Sequence, residues 1–420
     1  MHSPPGPTGL PFLGNLLQIP TDQPWVYFSD LSKKYGEIVQ LSVLGQTLII
    51  LNSFEAADAL FIKSANKYAN KPVRSMADLS GFNATLPFMD PCPAFNSARE
   101  QFHAELGPHP MTKYHPDLES ASQRFVQWLA SNLSCQKLEE GIDRSLGQLF
   151  LRVATGYRAH DDDPILSRIN GVANFAAHIL GGTYDKLDQL PFLKHLPRWA
   201  PGAGPLRLAA KWKKQLAQTA DDTVKLAQDS LKDDSSNTSF MGDVLNAKPE
   251  EANDEQFKMV AVSITAGGML ALESAHLSLL YTMSRFPEVQ QRAQAELDSV
   301  LSGRPPTIAD RPNLPYTDAV VSEILRWVPI APLIGRQVME DDEYNGFRIP
   351  KGATIMVNNW AISRDPNVYA DPLEFRPERF LEKGEDGKPS VLSPATWAKG
   401  AACRLETVKC TLAPRTTDAS

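Results

Sequence analysis

The sequence predicts a mainly α-helical fold with small β-sheets, an α+β arrangement, on two observations. Long stretches with helical periodicity or an apolar run of helical length occur at residues 116–158, 165–181, 205–232 and 257–286. A short segment at 37–51 instead has the pattern of a β-hairpin. A chain of 420 residues with 42% hydrophobic side chains is long enough to bury one large core.

Turn and capping residues delimit the first elements. Strands are predicted over 37–44 and 47–51, on either side of a turn with glycine. Ser53 has a side chain suited to a helix N-cap, and it predicts a helix over 54–62. The polar segment 233–256 is predicted to be a connection without regular structure.

Composition excludes some classes of function. The net charge of −7 argues against nucleic acid as a partner, because proteins that bind nucleic acid need a basic surface. Four cysteines in so long a chain do not make the disulfide framework of a small secreted domain, which favours a reducing compartment. They are Cys92, Cys135, Cys403 and Cys410.

One motif combines a charged pair on a helix with a later arginine. Glu323 and Arg326 are three residues apart, so both lie on one face of the predicted helix. Pro329 and Pro332 end that helix, and a Pro-Glu-Arg-Phe sequence containing Arg379 follows later. Alone, the pair would be a solvated ion pair that contributes a few tenths of a kcal/mol. The ordered set of motifs is far more specific.

This set resembles the cytochrome P450 family of haem-thiolate monooxygenases. The resemblance implies a cytochrome P450 fold over a single domain, residues 1–398, which is incomplete at the C-terminus, with an aberrant or disordered tail at 399–420. It also implies that Glu323, Arg326 and Arg379 form a buried charge cluster, in which the third member satisfies the buried pair. An unrelated helical binding protein would require the order of the motifs to be coincidental.

The resemblance implies heme b, iron protoporphyrin IX, as cofactor. Family members hold one haem propionate with a tryptophan and an arginine four residues apart, and Phe95 and Arg99 have that spacing. Phenylalanine lacks the N–H donor of tryptophan, whereas the arginine keeps its role as an anion partner. Arg336 is the candidate for the other propionate. The alternative for Arg99 is an ordinary surface arginine.

On the central helix, Gly267 and Gly268 match the oxygen-binding groove of the family. Small residues suit this position because a helix passes close to a flat cofactor only where side chains are absent. Relatives follow the glycines with an acid and a threonine that relay protons. Here these positions are Leu270 and Ala271, neither of which can donate a proton. The alternative is that this segment is ordinary core helix.

The family's thiolate ligand lies in a Phe-x-x-Gly-x-Arg-x-Cys-x-Gly loop. Aligned without gaps from Pro394, Glu406 takes the place of the ligand cysteine, and Cys403 lies three residues earlier. A change of reading frame near residue 398 would account for the mismatch. Two hypotheses stay open: Cys403 is the ligand of the haem iron, or the chain is a non-catalytic, truncated remnant that cannot bind haem normally.

The implied reaction is the hydroxylation or epoxidation of a hydrophobic small molecule with O₂, in fungal secondary-metabolite (terpenoid or polyketide) biosynthesis. The implied electron donor is NADPH–cytochrome P450 reductase. The resemblance also implies the cytoplasmic face of the endoplasmic reticulum membrane. No transmembrane anchor is predicted in the sequence, so we expect peripheral association, through a lid at 191–204, or a cytoplasmic location.

Overall fold

The computed structural model describes residues 2–132, 137–182, 187, 191–234 and 237–381. Its helices are α1 (Pro24–Tyr35), α2 (Phe54–Ala57), α3 (Ser75–Ser80), α4 (Pro93–Leu106), α5 (His115–Ser131), α6 (Leu138–Thr155), α7 (Pro164–Leu180), α8 (Gly204–Asp233), α9 (Phe240–Ala247), α10 (Glu255–Gly267), α11 (Met269–Arg285), α12 (Pro287–Leu301), α13 (Pro315–Trp327) and α14 (Asn359–Ile362). The mainly α-helical class with small sheets is confirmed.

The strands are β1 (Ile38–Val43), β2 (Gln46–Leu51), β3 (Leu333–Gln337), β4 (Asp342–Tyr344), β5 (Phe347–Ile349) and β6 (Thr354–Asn358). One sheet has the order β1-β2-β6-β3, and β4 pairs with β5 in a second. The β1–β2 hairpin is confirmed, with Ile38 opposite Leu51. The parallel pairing of β2 with β6 joins the two ends of the described chain.

Local signals account for where several helices begin. Proline occupies the first helical position of α1, α4, α7, α12 and α13, where its missing N–H costs nothing. The prediction that Ser53 caps α2 is confirmed, because its side chain accepts a hydrogen bond of 3.2 Å from the backbone N–H of Ala56.

Two sequence predictions differ from the structure. The stretch 116–158 comprises two helices, α5 and α6, with a helical break after Ser131. The segment 233–256 is not a plain connection, because it contains α9. Phe240 and Met241 of α9 are fully buried, so apolar burial outweighs the polar composition of the segment.

The central helix crosses the core and is interrupted once. Helices α10 and α11 meet at Gly268, and α3, α6, α7 and α8 surround them in the largest apolar cluster. Within the described residues, Glu255–Arg285 is long and apolar enough to cross a membrane by length and composition alone, and 56% of its apolar window is buried in the domain. Burial on this scale is typical of a core helix.

Candidate active site

The structure brings together the three residues of the predicted charge cluster. Glu323 and Arg326 lie on α13, and Arg326 binds the carboxylate twice, with Nε 2.6 Å from Oε2 and Nη2 2.7 Å from Oε1. Arg379 Nε lies 3.2 Å from Oε1 of Glu323. The Glu323 and Arg326 side chains are 0% and 1% exposed, so this ion pair is fully removed from water.

The surrounding backbone satisfies the remaining donors of Arg326. Its Nη1 donates to the carbonyl oxygens of Ser363 and Pro372, each over 2.8 Å, and its Nη2 donates to Glu374 O over 3.1 Å. The backbone N–H of Arg376 donates to Glu323 Oε1 over 2.8 Å. The charge cluster therefore links α13 to residues 363–379 through hydrogen bonds and ion pairs. The proximity of this cluster to haem stays a prediction.

Arg364 is a neighbour of the charge cluster that sequence reasoning missed. Its Cζ atom lies 3.2 Å from the ring centroid of Trp360, and its Nη2 donates to Trp327 O over 2.5 Å. Burial, reinforced by repulsion from Arg326, lowers the pKa of Arg364 to about 9. The spacing of Trp360 and Arg364, four residues apart, could have predicted their contact. Nothing in the sequence showed that the pair would be buried.

Phe95 and Arg99 share a face of α4, as their spacing requires. Arg99 is exposed, and its Cζ lies 5.7 Å from the ring centroid of Phe95, which is partly buried. The cap of α4 comes from Cys92, whose sulfur accepts a hydrogen bond from the N–H of Phe95 over 3.4 Å. The Phe95 ring therefore sits at the start of the helix with a guanidinium group beside it.

Arg336 projects from β3 into a partly buried position. Its Nη1 donates to the carbonyl oxygen of Gly335 over 3.0 Å, and its Cζ lies 6.0 Å from the ring of Phe61. Burial lowers the pKa of Arg336. Among the residues that the structure describes, no carboxylate forms an ion pair with this guanidinium group.

Lys71 joins these arginines, and no motif indicated it. Its Nζ lies 5.7 Å from the Phe95 ring centroid. Burial, followed by repulsion from Arg336, lowers the pKa of Lys71 to about 8, against an opposing effect of Asp90 and with a smaller repulsion from Arg99. We call Lys71, Arg99 and Arg336 the cation group. It converges from a loop, a helix and a strand that are distant in the sequence.

The two glycines of the predicted oxygen groove have different surroundings. A Cβ added to Gly267 would have no atom within 4 Å, so this residue faces open space. A Cβ on Gly268 would lie 2.4 Å from Cζ of Phe150 on α6. Packing against Phe150 is thus one reason for glycine at 268, and its place in the oxygen groove stays a prediction.

The two positions that replace the acid and the threonine also differ. Leu270 packs on the main apolar cluster, and Ala271 is partly buried, one helical turn after Gly267. The location of the groove stays a prediction. Cys403 and Glu406, the candidates for the ligand position, lie outside the described residues, as does the predicted tail at 399–420.

Comparison with known families decides the identity of the fold. The family model described as cytochrome P450 matches residues 4–394. The chain belongs to the cytochrome P450 family. It is 35% identical over 386 residues to cytochrome P450 monooxygenase 105 of Postia placenta, covering 90% of this chain and 74% of the relative. Cytochrome P450 monooxygenase COX1 of Coprinopsis cinerea is 33% identical, over 93% of this chain and 78% of the relative.

Solved structures agree on the fold. A zebra fish cytochrome P450 determined with abiraterone superposes with a TM-score of 0.67 at 22% identity, covering 90% of this chain and 86% of that one. The progesterone complex gives a TM-score of 0.70, over 86% and 84% of the two chains.

The family model and the fungal relatives identify the activity. The protein is a haem-dependent P450 monooxygenase, an oxidoreductase that uses O₂, a small-molecule substrate and a redox partner.

The cation group fits the acidic side of haem. Haem carries two propionates, and Arg336, a partly buried arginine without an ion-pair partner among the described residues, is suited to receive a carboxylate. Burial, and then repulsion from Arg336, lowers the pKa of Lys71 beside it. An arriving anion would neutralise both charges.

Proposed function

We propose that this P450 hydroxylates or epoxidises a hydrophobic small molecule in fungal secondary-metabolite biosynthesis, of the terpenoid or polyketide class. The proposed cofactor form is heme b, and the proposed electron donor is NADPH–cytochrome P450 reductase. Monooxygenases of three fungi support this setting, including ppsD of Aspergillus oryzae at 32% identity over 93% of this chain. The observation that carries the proposed binding of haem is the convergence of the cation group.

In this proposal the cation group orients the cofactor. Arg99 and Arg336 each receive one propionate, because guanidinium groups bind carboxylates through paired N–H donors. When bound, haem supplies the chemistry of oxygen activation. Cys403 is the proposed ligand of the iron. The charge cluster of Glu323, Arg326 and Arg379 contributes rigidity rather than chemistry, because its charges satisfy one another.

The open side of Gly267 is the proposed place of the substrate. Ser263, one helical turn earlier, accepts a hydrogen bond of 3.1 Å from the N–H of Leu86, which fixes the loop before α4 to the central helix. Phe82 and Phe88 of that loop contact at 6.1 Å between ring centroids, and Phe82 also lies 5.5 Å from Phe175. These rings belong to the same apolar cluster as Ala266, the neighbour of Gly267, and an apolar interior next to the site favours a hydrocarbon-rich substrate.

The test is turnover with isotopic oxygen. The protein, loaded with iron protoporphyrin IX and supplied with NADPH and a fungal reductase, is incubated with terpene hydrocarbons and with reduced polyketides under ¹⁸O₂. The proposal expects a product that carries one oxygen atom from O₂ and none from water. A protein that consumes NADPH with no labelled product from either class would contradict the proposed substrate class.

A non-catalytic remnant is the second candidate, and the position of Glu406 favours it. A carboxylate in the register of the ligand cysteine cannot give a thiolate-ligated haem. This candidate expects a folded helical domain that retains little haem. The absorption spectrum of the reduced, CO-treated protein separates it from the enzyme.

Peripheral contact with the cytoplasmic face of the endoplasmic reticulum is part of the proposal. Phe12 and Trp199 are 96% and 83% exposed, which is unusual for aromatic side chains and suits an interfacial position. Co-flotation with neutral phospholipid vesicles should fall in a Phe12→Ser, Trp199→Ser variant. Equal flotation of the variant and the unmodified protein would remove these residues from the proposal.

A further inference from the structure

We propose that Lys71 is a third cation of the propionate site and that it makes haem retention depend on pH. The inference rests on the proposed function, because it takes Arg99 and Arg336 as the other two cations. It adds a residue that the spacing of motifs did not indicate.

The backbone around Lys71 is held against β3. The N–H of Gln337 donates to the carbonyl oxygen of Asn70 over 2.9 Å. On the other side of Lys71, Pro72 packs so closely that a Cβ added to Gly335 would lie 2.8 Å from its Cγ. Lys71 is therefore fixed beside the strand that carries Arg336, and its place does not depend on a flexible loop.

The side chain of Lys71 compensates for what phenylalanine at position 95 lacks. Its Nζ and the Cζ of Arg99 each lie 5.7 Å from the Phe95 ring centroid. The side chain of Phe95 has no N–H donor, and the ammonium group of Lys71 brings three N–H donors close to its ring. The nearby carboxylate, Asp90, already accepts the backbone N–H of Lys71 over 2.7 Å.

The charges around Lys71 explain the dependence on pH. Burial disfavours its ammonium form most, repulsion from Arg336 and to a smaller extent from Arg99 adds to this, and Asp90 opposes them, which together lower the pKa of Lys71 to about 8. Propionates would favour the ammonium form and raise this pKa on binding. Haem affinity is then greatest below about pH 8. It falls by up to about tenfold per pH unit above that value, because binding must take up a proton.

The test compares two porphyrins on the full chain. Purified haem-free protein is titrated with iron protoporphyrin IX and with its dimethyl ester, which has no charged propionates, and binding is followed by Soret absorbance and tryptophan fluorescence. We expect Lys71→Met to lose about tenfold or more in affinity for the free acid at pH 7, and to leave affinity for the diester unchanged. Lys71→Arg should keep the affinity and remove its decline above about pH 8.

A second measurement separates this role from a structural one. Lys71→Met should raise the thermal midpoint of the haem-free protein, because it removes a repelled charge, while it weakens the binding of the free acid. If Arg99→Gln and Arg336→Gln weaken that binding but Lys71→Met does not, the inference is overturned and the propionate site stands. If none of the three variants distinguishes the free acid from the diester, the propionate site itself is wrong.

Discussion

Removing the carboxylate of Glu323 should cost a large part of the protein's net stability. In Glu323→Ala, Arg326 and Arg379 both lose their buried anion, and the N–H of Arg376 loses its acceptor. Breaking a buried pair by removing one partner costs about 3–5 kcal/mol. Domains are stable by only about 5–15 kcal/mol, so the loss is about a fifth of that total or more.

An exposed pair with the same spacing provides the control. Asp30 and Lys33 on α1 are also three residues apart, with Oδ1 2.7 Å from Nζ, but their side chains are 61% and 75% exposed. Asp30→Ala should cost about 0.5 kcal/mol or less, because water already solvates both charges. The two substitutions differ mainly in burial, so their difference isolates the effect of desolvation.

The assay is urea unfolding followed by far-ultraviolet circular dichroism. Glu323→Gln, which keeps the shape of the side chain and removes its charge, keeps the measurement possible if the alanine variant does not fold. We expect the midpoint of Glu323→Gln to fall well below that of Asp30→Ala. If the free energies of unfolding of the Glu323 variants lie within about 1 kcal/mol of that of the unmodified protein, the prediction is wrong. Such a result would mean that the charge cluster is solvated.

Three further predictions follow from the glycines, from Ala271 and from Lys71. Gly268→Ala should destabilise the fold by about 1–3 kcal/mol, because its Cβ would overlap Phe150, whereas Gly267→Ala should be near neutral; urea midpoints compare the two. Ala271→Thr should raise the amount of product formed per NADPH consumed, because a threonine hydroxyl can relay protons. Positioned proton transfer contributes about 10²–10⁴ in rate. An unchanged ratio would mean that the oxygen groove lies elsewhere. Between pH 8 and 10.5, Lys71 is protonated in the unfolded chain and deprotonated in the folded haem-free protein. The free energy of unfolding should therefore rise with pH across this window. Lys71→Met should flatten this rise.

Local chemistry was readable from the sequence. Ser53 has the side chain of an N-cap, and the charged spacing of Glu323 and Arg326 fits one helix face whatever surrounds it. Proline likewise predicts where helices begin, because its constraint acts within one turn. These features depend on residues that are close together in the chain, so they can be predicted from the sequence alone.

Features that depend on distant contacts were not readable. Lys71 reaches the cation group only because Asn70 bonds to β3, a contact across most of the chain. The close approach of Gly268 to the ring of Phe150 joins two separate helices, and no local pattern shows it. The burial of Arg364 likewise follows from the packing of its surroundings. Such contacts arise from tertiary packing, which periodicity does not encode.

The measurement that tests the central claim most directly is the absorption spectrum of the reduced protein with CO, after loading with iron protoporphyrin IX. With Cys403 as the ligand of the iron, we predict the strongly red-shifted band of a thiolate-ligated haem. Cys403→Ser should abolish the band, and Cys410→Ser should keep it. A haem-loaded protein without this band would contradict the proposed enzyme and support the non-catalytic remnant. A band that survives Cys403→Ser would contradict the assignment of Cys403 as the ligand of the iron.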